Sequence, residues 1–170
     1  KGLGEVKLIT ASKPYQVSSK FDLNGIEANP LLNDAIAFDQ LLGKGLLRWD
    51  LSTQGLSQRD FIKNLKGKLG FNLADGAVKG VNLAAIARSA ESLLSGDISN
   101  VSLDKNFDKA QATDFASFIA NFVFNKGVGS TTDLSLVNPF IRVNGQGSAN
   151  LPSTNIDFKI QTKLIASAEG

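Results

Sequence analysis

Few residues in this 170-residue chain could do covalent chemistry, and those few lack partners. It has no His and no Cys, so the common nucleophile–base pairs and most transition-metal ligand sets cannot be assembled. Gly55-Leu56-Ser57-Gln58-Arg59 opens like a nucleophile elbow but has no closing glycine. With Asp60 three residues on, Ser57 fits a helix cap whose capping-box acid is Asp in place of Glu. Gly145-Gln146-Gly147-Ser148-Ala149-Asn150 stops one glycine short of a dinucleotide fingerprint and sits inside an alternating stretch. Its glycines mark a bulge or close sheet packing. Asp104-Lys105-Asn106-Phe107-Asp108 begins like a calcium loop, but Lys109 stands where that loop needs Gly and Phe115 where it needs Glu. That segment reads as a solvated loop. No catalytic residue, metal ligand or cofactor is expected, and the chain reads as non-enzymatic.

The charges point the same way. The formal net charge is +2, whereas a nucleic-acid partner needs a concentrated basic face. Lys63, Lys66 and Lys68 form one small basic cluster. It suits a solvated helix end, where cations complement the helix dipole; contact with anionic lipid headgroups is the functional alternative. Hydrophobic residues make up 42% and charged residues 20%, the composition of an ordinary globular domain. The length favours a single domain over 1–170. No apolar run reaches the roughly 18 residues of a membrane span. A start at Lys1-Gly2 without Met leads us to expect a piece of a longer protein, with any anchor or export signal outside it.

The elements that would position a site come from periodicity. Tyr15, Val17, Ser19, Phe21 and Leu23 alternate with polar residues and predict a half-buried strand. Asn29-Pro30 reads as a helix start, with Leu31, Leu32, Ala35, Ile36 and Leu42 as its apolar stripe and Gly43 as its end. A second strand spans Gly45–Thr53, with Leu47, Trp49 and Leu51 on one face. A short helix follows Ser57 and stops at Gly67. A third strand holds Leu69, Phe71 and Leu73, and Asp75-Gly76 signals a hairpin turn. Asn82 caps the longest helix, closed by Gly96, and 97–112 reads as a loop excursion. The stretch from Thr113-Asp114 starts helical and becomes a strand through Phe122 and Phe124. Val128–Leu136, Phe140–Leu151 and Ile156–Ala166 are strands joined by turns so short that they must run antiparallel. The fold class expected is α+β: an antiparallel meander or curved β-groove sheet with about three amphipathic helices packed on it.

Two stretches carry a resemblance. Gly45 to Leu83 and Thr113 to Leu151 hold, in order, a short helix, "L-x-G" with a strand, "D-G-x-x-x-G-x-x-L" at Asp75–Leu83, "T-D-F" at Thr113–Phe115, and "G-x-G-x-x-x-L" at Gly145–Leu151. Together they resemble the carboxy-terminal region of the AsmA family. The resemblance implies an envelope protein tied to phospholipid traffic and outer-membrane assembly. It implies a place in the periplasm of a Gram-negative bacterium, held at the inner membrane by an amino-terminal helix outside this chain. It also implies kinship with bridge-like lipid transfer proteins whose β-groove shields acyl chains.

The apolar face of the meander has the most functional reach. Val128, Leu134, Leu136, Ile141, Val143, Ile156, Phe158, Ile160 and Leu164 are its lipid-contact candidates. They either pack beneath the helices as core or stay partly uncovered and touch acyl chains. In the alternative reading the domain binds an envelope protein partner, by strand addition at an open edge, and touches no lipid.

Overall fold

Strict apolar–polar alternation over ten or more residues commits a segment to a strand that buries one face, and here it recurs along most of the chain. A computed structural model describes residues 1–36, 39–80 and 111–165. Over these it forms one eight-stranded sheet in sequential order. The strands are β1 (Gly2–Ile9), β2 (Tyr15–Glu27), β3 (Lys44–Gly55), β4 (Lys66–Lys79), β5 (Ala112–Asn125), β6 (Val128–Val137), β7 (Ile141–Asn150) and β8 (Asn155–Leu164). Every neighbouring pair is antiparallel. Two helices complete the described residues: α1 (Ala28–Ile36) and α2 (Gln58–Lys63).

The expected α+β class with about three helices packed on the sheet is therefore corrected. The domain is an open antiparallel sheet, and its two described helices sit near opposite ends of the strands. The helix expected from Asn82 to Gly96 lies outside the described residues, as do 97–110 of the expected loop. Strands run longer than the turn and cap signals implied. Asp75 takes a positive φ of 49° without ending β4, which pairs on with β5 through Lys79↔Ala112. Thr113-Asp114 opens no helix, because its backbone joins that same ladder. The stretch 2–9 pairs residue by residue with β2, although its own alternation is weak.

The first helix is also shorter than its stripe suggested. Leu42 exchanges backbone hydrogen bonds with Ala77, and Lys79 N–H donates to Gln40, so 40–42 runs beside β4. The Asn29 amide donates to the Asp39 carbonyl at 2.9 Å and ties the chain's return to the helix start. At α2 the expected cap is present, although the helix ends at Lys63 and Gly67 already belongs to β4. Ser57 and Asp60 form a reciprocal capping box, and the Ser57 hydroxyl and Leu56 N–H hold the Asp60 carboxyl below its ordinary value.

The register puts one set of residues on one face throughout. Gly4, Phe21, Trp49, Leu69 and Phe122 are successive ladder partners, as are Leu23, Leu47, Phe71 and Ala120. The core gathers at the α1 end of this face. Ala28, Leu73, Phe115, Leu136, Ile141 and Val143 are buried together, with Ile26, Leu32, Phe71 and Phe118 against them. Glycines make room for close neighbours: a Cβ at Gly4 or Gly129 would collide with the ring of Phe21 or Phe124 across the ladder, and one at Gly147 with the Asp157 carbonyl and Phe158. The glycines of 145–150 thus serve close sheet packing, as their sequence context suggested.

A bulge in β6 keeps β7 and β8 in phase with this face. The ladder slips by one residue between Thr131 and Leu134, so Thr131 and Leu134 both lie on the apolar side. Asp133 holds the bulge. Its carboxylate accepts from Asn121 N–H at 2.9 Å, Asn121 Nδ2 at 2.6 Å and Thr131 Oγ1 at 2.9 Å. The Asn121 side chain, then its backbone N–H, pull the Asp133 pKa below the ordinary carboxylate value. A depressed folded-state pKa gives stability that is present above the unfolded value of about 4 and lost as pH falls through the folded value. Asp133→Asn should therefore cost about 1 kcal/mol at neutral pH, a modest figure because the group is solvent-screened. The gap to wild type should close as urea midpoints are followed below about pH 4. A gap that stays constant with pH would count against the clamp.

Candidate functional site

The candidate site is the apolar face between the two helices. At the Lys44 end of β3, α1 returns to the sheet through Ala28 N–H to the Gly43 carbonyl, and Leu32 packs against the core. At the Gly55 end the Thr53 hydroxyl donates to the Phe61 carbonyl of α2 at 2.5 Å. A Cβ at Gly55 would run into Asp60, so the glycine lets α2 lie close over the strand end.

Between them runs an aromatic row. Phe21 and Trp49 stack at 4.7 Å and 29°, and Leu69 and Phe122 continue the ladder. All four are half-buried. Indole Nε1 donates to Ser19 Oγ at 2.9 Å, so Trp49 offers its hydrocarbon surface with its one polar atom satisfied. Phe71 meets Phe118 edge-on at 4.9 Å, where the row merges into the core. A surface built from rings and aliphatic side chains can shelter hydrocarbon. Among the described residues no cluster of His, Cys, Asp or Glu could hold a metal, and the calcium-like segment lies outside them. None of the described helices is long and apolar enough to cross a membrane.

The sequence-derived candidates divide. Leu136, Ile141 and Val143 are 3%, 1% and 2% exposed, so they are core. Leu134 lies over Gly145 and Phe158 over Gly147, each half-buried. Ile156 and Ile160, on edge strand β8, are 75% and 51% exposed. Leu164 pairs with Ile141 in the backbone ladder. Val128 pairs with Asn150 and by register falls on the opposite face, because the β6 bulge reverses alternation between it and Leu134. The basic trio is also dispersed: Lys63 closes α2, whereas Lys66 and Lys68 belong to β4 and stand on the polar face, not at a helix end.

The sequence does not mark Phe21, Trp49, Leu69 and Phe122 as one site. Each strand's alternation was legible, but only the shared register brings these four into one row. Core and wall should separate by mutation. Ile141→Ala should lose about 2–5 kcal/mol, whereas Ile160→Lys should stay within about 0.5 kcal/mol of wild type, both read from urea midpoints. Equal losses would show that β8 belongs to the core.

The model of the AsmA family matches residues 4–134, from β1 to the bulge of β6. No match is found among curated proteins or among solved structures. The matched span holds most of β1, all of β2 to β5, both described helices and the whole aromatic row, and on it the chain belongs to the AsmA family.

Proposed function

We propose that this domain is a non-catalytic, lipid-handling part of an AsmA-family protein. In this reading it works in the periplasm of a Gram-negative envelope, on a protein anchored in the inner membrane, in phospholipid transport between the two membranes and in outer-membrane homeostasis. Family membership supports the coarser statement, a role within an envelope and lipid-transport family. The observation that carries the finer one is the half-buried row Phe21–Trp49–Leu69–Phe122. An acyl chain laid along such a row is stabilised by about 0.8 kcal/mol for each CH₂ removed from water. Rings that stay half-buried in the folded chain retain surface for that contact.

A second reading, docking on an envelope protein without lipid, is favoured by β1. Its residues are exposed throughout, with Leu3 at 81%, Val6 at 63% and Leu8 at 62%. As an edge strand it also offers backbone groups for strand addition.

Trp49 is the only tryptophan, so it reports on the row directly. The chain should be incubated with vesicles of phospholipid brominated along its acyl chains, then re-isolated from them. Trp49 emission should fall relative to the unbrominated control, with phospholipid recovered in the extract. Unchanged emission and a lipid-free extract would sink the lipid reading and leave the docking one.

A further inference from the structure

The polar face of the sheet holds a site of its own. Successive rows of ladder partners across β1 to β4 carry different charge patterns. The row Glu5, Lys20, Asp50, Lys68 alternates in sign, with Lys20 Nζ 3.5 Å from Asp50. In the row beyond, Arg48 lies 2.7 Å from Asp22. These rows neutralise themselves. Toward the α2 end the next row reads Lys7, Ser18, Ser52, Lys66. Two hydroxyls stand where the preceding row has a cation and a carboxylate, so both terminal ammonium groups lack a neutralising partner within the row.

The same place is a depression of about 380 Å³, and Lys7, Lys66, Ser18 and Ser52 line it together with Asn125 and Lys126. Lys126 and Gly127 both take positive φ, 50° and 75°, the backbone of a tight hairpin turn, and that turn sets Lys126 on the rim. No Asp or Glu lines the depression. Among the described residues Lys7, Lys66 and Lys126 make no ion pair, whereas Lys20, Lys44 and Arg48 each do.

We propose that this depression binds a phosphate ester. Three ammonium groups supply the charge, and the Ser18 and Ser52 hydroxyls and the Asn125 amide supply neutral donors for a many-acceptor oxyanion. Lys7 and Lys66 stand three strand spacings apart, about 14 Å between backbones, a gap that two lysine stems leaning inward close around a central anion. The volume exceeds that of a bare phosphate and leaves room for a small substituent, which favours an ester. Its source is either a lipid headgroup or a soluble phosphate ester. The site is independent of the aromatic row, which lies on the other face.

The test uses glycerol 3-phosphate as soluble probe and anionic phosphatidylglycerol vesicles as lipid probe, at constant ionic strength. Amide chemical shifts of the isotope-labelled chain should move saturably with glycerol 3-phosphate at Ser18, Ser52, Lys66 and Lys126. Lys66→Gln with Lys126→Gln should weaken binding by about tenfold or more, and Lys159→Gln, on the same face away from the depression, should leave it unchanged. Because all three lysines are exposed, the variants should keep the wild-type spectrum elsewhere. Should the double variant not fold, Ser18→Ala with Ser52→Ala supplies the same comparison. Competition by phosphatidylglycerol vesicles assigns the site to a headgroup, and binding without such competition assigns it to a soluble ester. Either supports the site. Absence of saturable shifts, or equal weakening by Lys159→Gln, overturns it. Neither result bears on quenching of Trp49, so the two readings fail separately.

Discussion

What every other feature of this domain depends on is the ladder register, because side chains alternate between faces with a period of two and a one-residue slip exchanges the faces. From β1 to β4 the register keeps Gly4, Phe21, Trp49 and Leu69 in line. Where it must shift, it does so at residues equipped for it. Gly25, at φ 71°, is the extra residue in β2 between Asn24 and Ile26, which returns Ile26 to the core side. In β6 the shift falls at Thr131–Leu134, where Asp133 satisfies the irregular backbone with charge-assisted hydrogen bonds. Without that insertion Leu134 and Leu136 would face the polar side, and β7 and β8 would lose their packing partners.

The same register explains why side chains of opposite character can be crowded without conflict. On the apolar side, large rings lean over glycines in the next strand, so packing is dense without strand separation. On the polar side, cross-strand ion pairs such as Arg48–Asp22 sit in solvent. They add little stability each, but they disfavour any register that would oppose like charges. The row Lys7–Ser18–Ser52–Lys66 departs from this habit. Its cost in repulsion is small when the lysines reach into water, and an anion placed between them would reverse its sign.

Much of the sheet was legible from sequence because period-two alternation is a local signal. Tyr15–Leu23, Gly45–Thr53 and Val128–Leu136 lie within observed strands, Phe140–Leu151 and Ile156–Ala166 match β7 and β8 to within two residues at their ends, and the Ser57–Asp60 capping box was readable from spacing alone. The misreadings share a cause: a local turn or cap signal was outweighed by pairing with a neighbour. Asp75-Gly76 resembles a hairpin turn, but β5 continues past it. Leu42 fits a helical stripe, but its backbone is claimed by Ala77. Val128 was assigned to the apolar face because alternation was carried through a bulge that nothing in Ser130–Ser135 announces.

The candidate site was less legible than the fold for the same reason. A strand's apolar face says that something will cover it, not what. Leu136, Ile141 and Val143 look the same in sequence as Leu69 or Phe122. The first three are buried in one cluster with Ala28, Leu73 and Phe115, whereas Leu69 and Phe122 remain half-buried. Core and candidate groove are stretches of one continuous sheet face, set apart by how deeply their side chains are buried. The fully buried side chains gather at the α1 end, and the aromatic row is half-buried. On the proposed reading, a face anchored at one end and less deeply buried along its middle would take up hydrocarbon without unfolding the sheet that presents it.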